Sequence, residues 1–159
     1  MLQRLFPKQI DNRFEGHRLA LWLLGIHVGL RMVIGLNSIA NTAKVAGGAD
    51  GYRLADYGAD GARAVLMLFS LSGLAGLTMA LLGVIVLLRY RAMAPLLLLL
   101  LLFDFLARRM IIQSYAIERS GALDFAWWLN SALLLMLVLA LALSLWPSRA
   151  KPQAAGPKS

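Results

Sequence analysis

The sequence predicts an all-α integral membrane protein, a four-helix bundle with up-down-up-down topology. The first observation is composition: hydrophobic residues make up 60% of the 159 residues and charged residues 15%, whereas soluble domains average about 45–50% and about 25%. The second is that the apolar residues lie in four blocks of about 20 residues, each long enough to cross ~30 Å of hydrocarbon. Four such blocks in a chain of single-domain length predict four transmembrane helices joined by short connections.

The predicted helices alternate with segments of different character. The helices span residues 19–39, 64–88, 92–112 and 125–146. Residues 1–18 mix basic with apolar residues, which is typical of either an interfacial cytoplasmic segment or a free, solvated arm. An outer loop at 42–62 carries two Asp-Gly pairs that favour turns. The tail at 147–159 is rich in Pro, Ala and Lys and is expected to be a disordered cytoplasmic segment.

Charged and aromatic side chains predict the orientation. Nine Lys and Arg residues lie on the side of the two termini and the second loop, and four lie on the side of the first and third loops. The positive-inside rule therefore places both termini in the cytoplasm, and we expect a multi-pass protein of the bacterial inner membrane. Trp127 and Trp128 at one end of the fourth helix, and Trp146 at the other, match the aromatic belts of the two interfaces. The residues before Leu19 contain no continuous apolar stretch, so no cleavable signal peptide is predicted.

The residue types also exclude several functions. The chain has no cysteine, which rules out disulfides and thiolate metal sites. His27 is the single histidine at helix depth, too few for a haem held between two helices. Neither a metal, a cofactor nor a catalytic residue is assigned. The net charge of +8 lies mainly at the helix ends, where it meets anionic lipid headgroups, so the bilayer and not nucleic acid is the expected partner.

Charged side chains at bilayer depth form the candidate site. His27 and Arg31 lie four residues apart on one face of the first helix, and Asp104 and Arg108 have the same spacing on the third. Counted from the cytoplasmic ends of the two helices, His27 lies level with Asp104. We therefore predict an intramembrane polar cluster of these four residues, with Asn130 of the fourth helix joining from the outer side.

A simpler interpretation of the same residues stays open. Arg108 can extend to the outer headgroups and pair with Asp104 inside its own helix, which would make the cluster purely structural. His27 would then be a packed histidine with a hydrogen-bond partner. The residue types do not separate a structural cluster from a site for a ligand, a proton or a lipid headgroup.

Small residues predict where helices approach closely. The second helix carries four within an arc of about 80°, and the first carries a pair four residues apart: Gly73, Gly76, Ala80 and Gly83, and Gly25 with Gly29. These contacts are expected within the bundle or between two copies of the chain. Ser70, Ser72 and Thr78 are expected to bond to their own helix backbone.

Three functions follow from these features. The leading interpretation is a non-catalytic accessory protein, scaffold or self-associating bundle, with a protein partner or a second copy in the membrane. It is favoured by the small residues of the second helix and by the small extramembrane mass. The alternative is a small transport or lipophile-binding protein that uses the cluster of His27, Arg31, Asp104 and Arg108. A membrane enzyme with His27 as the base is third.

Overall fold

The computed structural model describes residue 5, residues 12–115 and residues 123–146, and within these ranges it contains helices and turns but no strand. Four long helices account for most of them. They are α1 (Arg18–Ala40), α2 (Gly58–Arg89), α3 (Ala94–Ser114) and α4 (Leu123–Leu145). The prediction of an all-helical protein is confirmed. The tail and most of the N-terminal segment lie outside the described residues.

Three segments of the described chain are long and apolar enough to cross a membrane. They are Arg18–Ala40, Leu54–Arg89 and Trp127–Leu145. The helix α3 has a suitable length of 21 residues, but Asp104, Arg108 and Arg109 make its second half more polar than the rest. Three of the four predicted spans are therefore supported by length and composition.

The segment between α1 and α2 is more helical than the sequence predicts. Within the predicted loop, Thr42–Lys44 forms a single α-helical turn, Val45–Ala49 a π-helical turn and Leu54–Tyr57 a 3₁₀ turn, and α2 begins before residue 64. Gly51 of the first Asp-Gly pair has φ of 70°, a left-handed conformation that costs glycine little. The chain therefore reverses at this glycine between two compact helical turns.

The most extensive helix contact joins α1 and α2. A Cβ atom added to Gly73 would lie 2.8 Å from Cβ of Ser38, and one added to Gly83 would clash with the side chain of Val28. The small residues of α2 are thus used for close packing inside one chain. Gly29 of α1 behaves differently, because it is exposed and an added Cβ would meet no atom within 4 Å.

The helix α4 packs against both α1 and α3. The N–H of His17 donates to the carbonyl of Leu143 (3.0 Å), so the start of α1 lies beside the end of α4. At the opposite end, the hydroxyls of Thr42 and Ser70 are 2.9 Å apart, so the chain just after α1 contacts the first half of α2. We call these two ends the terminal end and the loop end.

The apolar core lies between the four helices. Its fully buried side chains come from α1, α3 and α4 and include Leu24, Leu98 and Leu137. Many large apolar side chains point outward instead, such as Trp22 at 72% and Phe103 at 70% exposure. Such a surface is unusual for a protein in water.

Candidate functional site

Asp104 and Arg108 form an ion pair within α3. The Nε atom of Arg108 donates to both carboxylate oxygens of Asp104, at 3.0 and 3.1 Å. The acid lies four residues before the base, which is the favourable order on a helix. Both side chains are about one-third exposed. The pairing within one helix that the sequence predicts is therefore present.

Asp104 also reaches α1. Its Oδ2 lies 3.7 Å from Nη2 of Arg31, a distance too long for a hydrogen bond but short enough for electrostatic attraction. The carboxylate thus lies between two guanidinium groups on two helices. A charged group in an apolar environment is costly unless it is paired, so this shared carboxylate offsets part of the cost of both arginines.

Arg108 extends the cluster to a third helix. Its Nη1 atom donates to the hydroxyl of Ser72 on α2 at 2.6 Å. The sequence predicts that Ser72 bonds to its own helix, as Thr78 does with the carbonyl of Leu74. A serine that faces another helix has the same spacing as one that faces its own backbone, so the sequence carries no signal for this contact.

His27 does not join this cluster. It is 1% exposed, and neither ring nitrogen has a hydrogen-bond partner among the described residues. The predicted group of four is thus resolved into a charged triad of Arg31, Asp104 and Arg108, and a separate buried histidine one turn before Arg31. Matching depths along two helices do not determine which way each side chain points.

Two neighbouring cavities adjoin the triad at the loop end, with volumes of about 210 Å³ and about 350 Å³. Five residues line both of them: Arg31, Ile34, Asp50, Arg108 and Ile112. The smaller cavity continues towards Ser72 and Tyr52, and the larger one towards Arg109, Gln113 and Asn130. Asn130 therefore lies in the wall of the larger cavity.

The segment between α1 and α2 supplies part of the cavity wall. Asp50 lines both cavities and ends the π-helical turn, where its N–H donates to the carbonyl of Val45 at 3.1 Å. Tyr52 packs edge-on against Phe69 of α2, with ring centroids 5.9 Å apart. The Asp-Gly pair predicts the turn at this point, but the contribution of Asp50 to a cavity depends on the fold.

The charges around the cavities do not cancel. Among the residues that the structure describes there, three arginines, Arg31, Arg108 and Arg109, lie near two carboxylates, Asp50 and Asp104. Among the described residues there is no group of three or more His, Asp or Glu side chains suited to a metal ion. The arrangement is suited to holding a small molecule by charge and by apolar contact.

Comparison of the chain with protein-family models, curated proteins and solved structures gives no match. The function is therefore inferred from the geometry of the triad and the two cavities.

Proposed function

We propose that this chain is a membrane-embedded binding protein for a small lipophilic or amphipathic molecule. The four helices α1 to α4 would cross the bilayer in up-down-up-down order, with both termini in the cytoplasm. The outward-facing apolar side chains support this placement, because hydrocarbon removes the penalty that water would impose on them. The positive-inside count supports the orientation, and with it the loop end would face the outside.

The charges of α3 are compatible with a transmembrane position. Asp104 and Arg108 pair with each other and with neighbouring helices, as intramembrane charges usually do. The outward surface of α3 is apolar, with Phe103 and Met110 about 70% exposed. Arg109 lines the larger cavity near the loop end, within reach of the outer headgroups in this orientation.

Single-cysteine labelling tests the topology cleanly, because the natural chain has no cysteine. We expect a membrane-impermeant maleimide to label Ala55→Cys in intact cells, since Ala55 is exposed at the loop end. Ser159→Cys is expected to react only after the membrane is permeabilised. The opposite pattern would mean that the orientation is inverted. Labelling of both sites in intact cells would mean that the chain crosses the membrane an even number of times between residues 55 and 159, and not three times as proposed.

The observation that carries the binding function is the pair of cavities beside the charged triad. Membrane proteins tolerate charges at helix depth mainly where they face a partner or a cavity, and here Arg31 and Arg108 have both. A concave apolar pocket with a few polar groups is the usual form of a small-molecule site. Apolar contact would then supply affinity and the triad would orient the bound molecule.

Filling the cavities should abolish binding. Ile112 lines both cavities, whereas its neighbour Ile111 is 58% exposed and lines neither. We expect the wild-type protein, purified in mild detergent, to retain a defined small molecule that is detected by mass spectrometry after extraction. Ile112→Trp should lose most of it, because the indole occupies the cavity, and Ile111→Trp should retain it.

The two tryptophan variants add the same side chain to adjacent positions on α3, so the comparison controls for expression and detergent effects. Equal retention of the same molecule by both variants would count against the cavities as the site. Identical extracts from both variants and from an unrelated membrane protein would show that the material is only carried over from the membrane.

The structure favours binding over the two other functions considered. Two of the small residues of α2 that suggested self-association, Gly73 and Gly83, are covered by α1 of the same chain, so these two are not free to recruit a partner. His27 is 1% exposed and is not part of either cavity wall. A base must come within hydrogen-bond reach of its substrate, and His27 does not meet this requirement at these cavities.

A further inference from the structure

We infer that the bound molecule carries a single anionic oxygen group, a carboxylate or a phosphate, and that Arg31 binds this group. The inference rests on the proposed function and names the chemical class of its ligand. An aliphatic portion attached to the anion would occupy the apolar part of the larger cavity. The same chemistry describes the headgroup of an anionic lipid and a free fatty acid.

The carboxylate of Asp104 interacts more closely with Arg108 than with Arg31. Arg108 makes two contacts to the carboxylate, at 3.0 and 3.1 Å, and also donates to Ser72. Arg31 makes one contact at 3.7 Å. The carboxylate therefore mainly neutralises Arg108, and Arg31 is left with capacity for a second anion.

The hydrogen-bond donors of Arg31 are suited to an anionic group. Its Nε–H is buried and has no acceptor within the described part of the chain. A guanidinium group presents its N–H donors as a planar fork that matches the two oxygens of a carboxylate or phosphate. The side chain is 18% exposed and lines both cavities, so an anionic oxygen there would meet its terminal N–H groups and not the buried Nε–H.

The charged and apolar side chains around the cavities also match an amphipathic monoanion. Within the described part of the chain, the three arginines outnumber the two aspartates by one positive charge, which one monoanionic group would balance. Asp50 in the shared wall disfavours a second negative charge, so a multiply charged anion is a poor match. Ile34, Phe105 and Leu133 line the larger cavity and would contact the aliphatic portion.

The test compares two probes of equal chain length, dodecanoate and dodecanol. The full chain is reconstituted in phosphatidylcholine nanodiscs, and binding is measured by titration calorimetry. We expect dodecanoate to bind about tenfold or more tightly than dodecanol, the difference typical of one hydrogen-bonded charge pair. Equal affinity for the two probes would overturn the anionic class but leave the lipophile-binding function intact, whereas no binding of either probe would contradict both.

Variants of Arg31 then locate the anion. Arg31→Gln should bring the affinity for dodecanoate down to that for dodecanol. Arg31→Lys should give an intermediate affinity, because it keeps the charge but loses the planar fork. Arg63→Gln, which removes an exposed arginine paired with Asp60, should bind like the wild type. Unchanged affinity in a folded Arg31→Gln protein would exclude Arg31 as the anion-binding residue.

A second arm separates the two sources of the anion. Native mass spectrometry is carried out on protein from nanodiscs that contain phosphatidylglycerol, with dodecanoate as the competitor. A retained phosphatidylglycerol that dodecanoate displaces would identify the headgroup of a bilayer lipid as the occupant. Binding of dodecanoate without retained phosphatidylglycerol would identify a free amphipathic acid. Either result supports the inference, and retention of phosphatidylcholine in preference to both would overturn it.

Discussion

Asp104→Asn is expected to lower the stability of the folded protein by about 1.5–3 kcal/mol, the usual contribution of hydrogen bonds to a charged group. The carboxylate is the only acidic group of the triad, and it lies beside both Arg31 and Arg108. Asparagine has nearly the same shape but no charge, so two guanidinium groups would remain close together without compensation. In the proposed membrane environment their repulsion would be weakly screened.

The loss is measured as the yield of monodisperse protein in mild detergent and as the temperature of thermal unfolding. Asp60→Asn is the matched control, because Asp60 pairs with Arg63 at 3.6 Å on a highly exposed part of α2. Such an exposed pair contributes about 0–1 kcal/mol, so this variant should behave like the wild type. If Asp104→Asn keeps wild-type yield and stability, the carboxylate of Asp104 is not needed to neutralise Arg31 and Arg108.

Gly83→Ala should lower stability by about 1–3 kcal/mol, the usual range for overpacking a close contact. The added methyl group would overlap the side chain of Val28, which is 3% exposed. Valine has little rotational freedom on a helix, so α1 and α2 must separate to relieve the overlap. Thermal unfolding in detergent measures the loss.

The double variant Gly83→Ala with Val28→Ala should recover much of the lost stability, since it removes the methyl groups that the new side chain meets. Gly29→Ala serves as the control, because an added Cβ there meets no atom within 4 Å. This control should be neutral or slightly stabilising, as alanine favours helices over glycine by about 1 kcal/mol. Equal losses for Gly83→Ala and Gly29→Ala would show that the cost does not arise from the contact with Val28.

The sequence predicts the long helices well because each is an uninterrupted apolar block. The observed α1 (Arg18–Ala40) agrees with the predicted 19–39 to within one residue at each end. The start of α2 is predicted less well: its first turns contain Asp60 and Arg63, which make the segment polar without preventing a helix. The hydropathy of a segment indicates whether its surroundings are apolar or aqueous, whereas the hydrogen bonds of the backbone determine where the helix begins.

The candidate site is only partly predictable. The spacing of four residues along α3 predicts the pair of Asp104 and Arg108, and Arg31 joins this pair from α1. His27 makes no hydrogen bond to the triad although it lies four residues before Arg31 on α1, because a match in depth does not determine which way a side chain points. The cavities are spaces between several helices, and the position of Asp50 in their wall depends on a π-helical turn that has no distinct sequence pattern.

If the chain inserts into the membrane as proposed, the hydrogen bond from His17 to Leu143 is among the last helix contacts that can form during synthesis. The hairpin of α1 and α2 is complete once residue 89 has entered the bilayer, and its close packing needs no later residue. The surface of α1 that α4 covers must wait until nearly the whole chain has been translated. During that interval one side of α1 has lipid or the insertion machinery as its neighbour. A ribosome-stalled intermediate ending after α3 should therefore contain a protease-resistant hairpin with an N-terminus that is still open to cleavage.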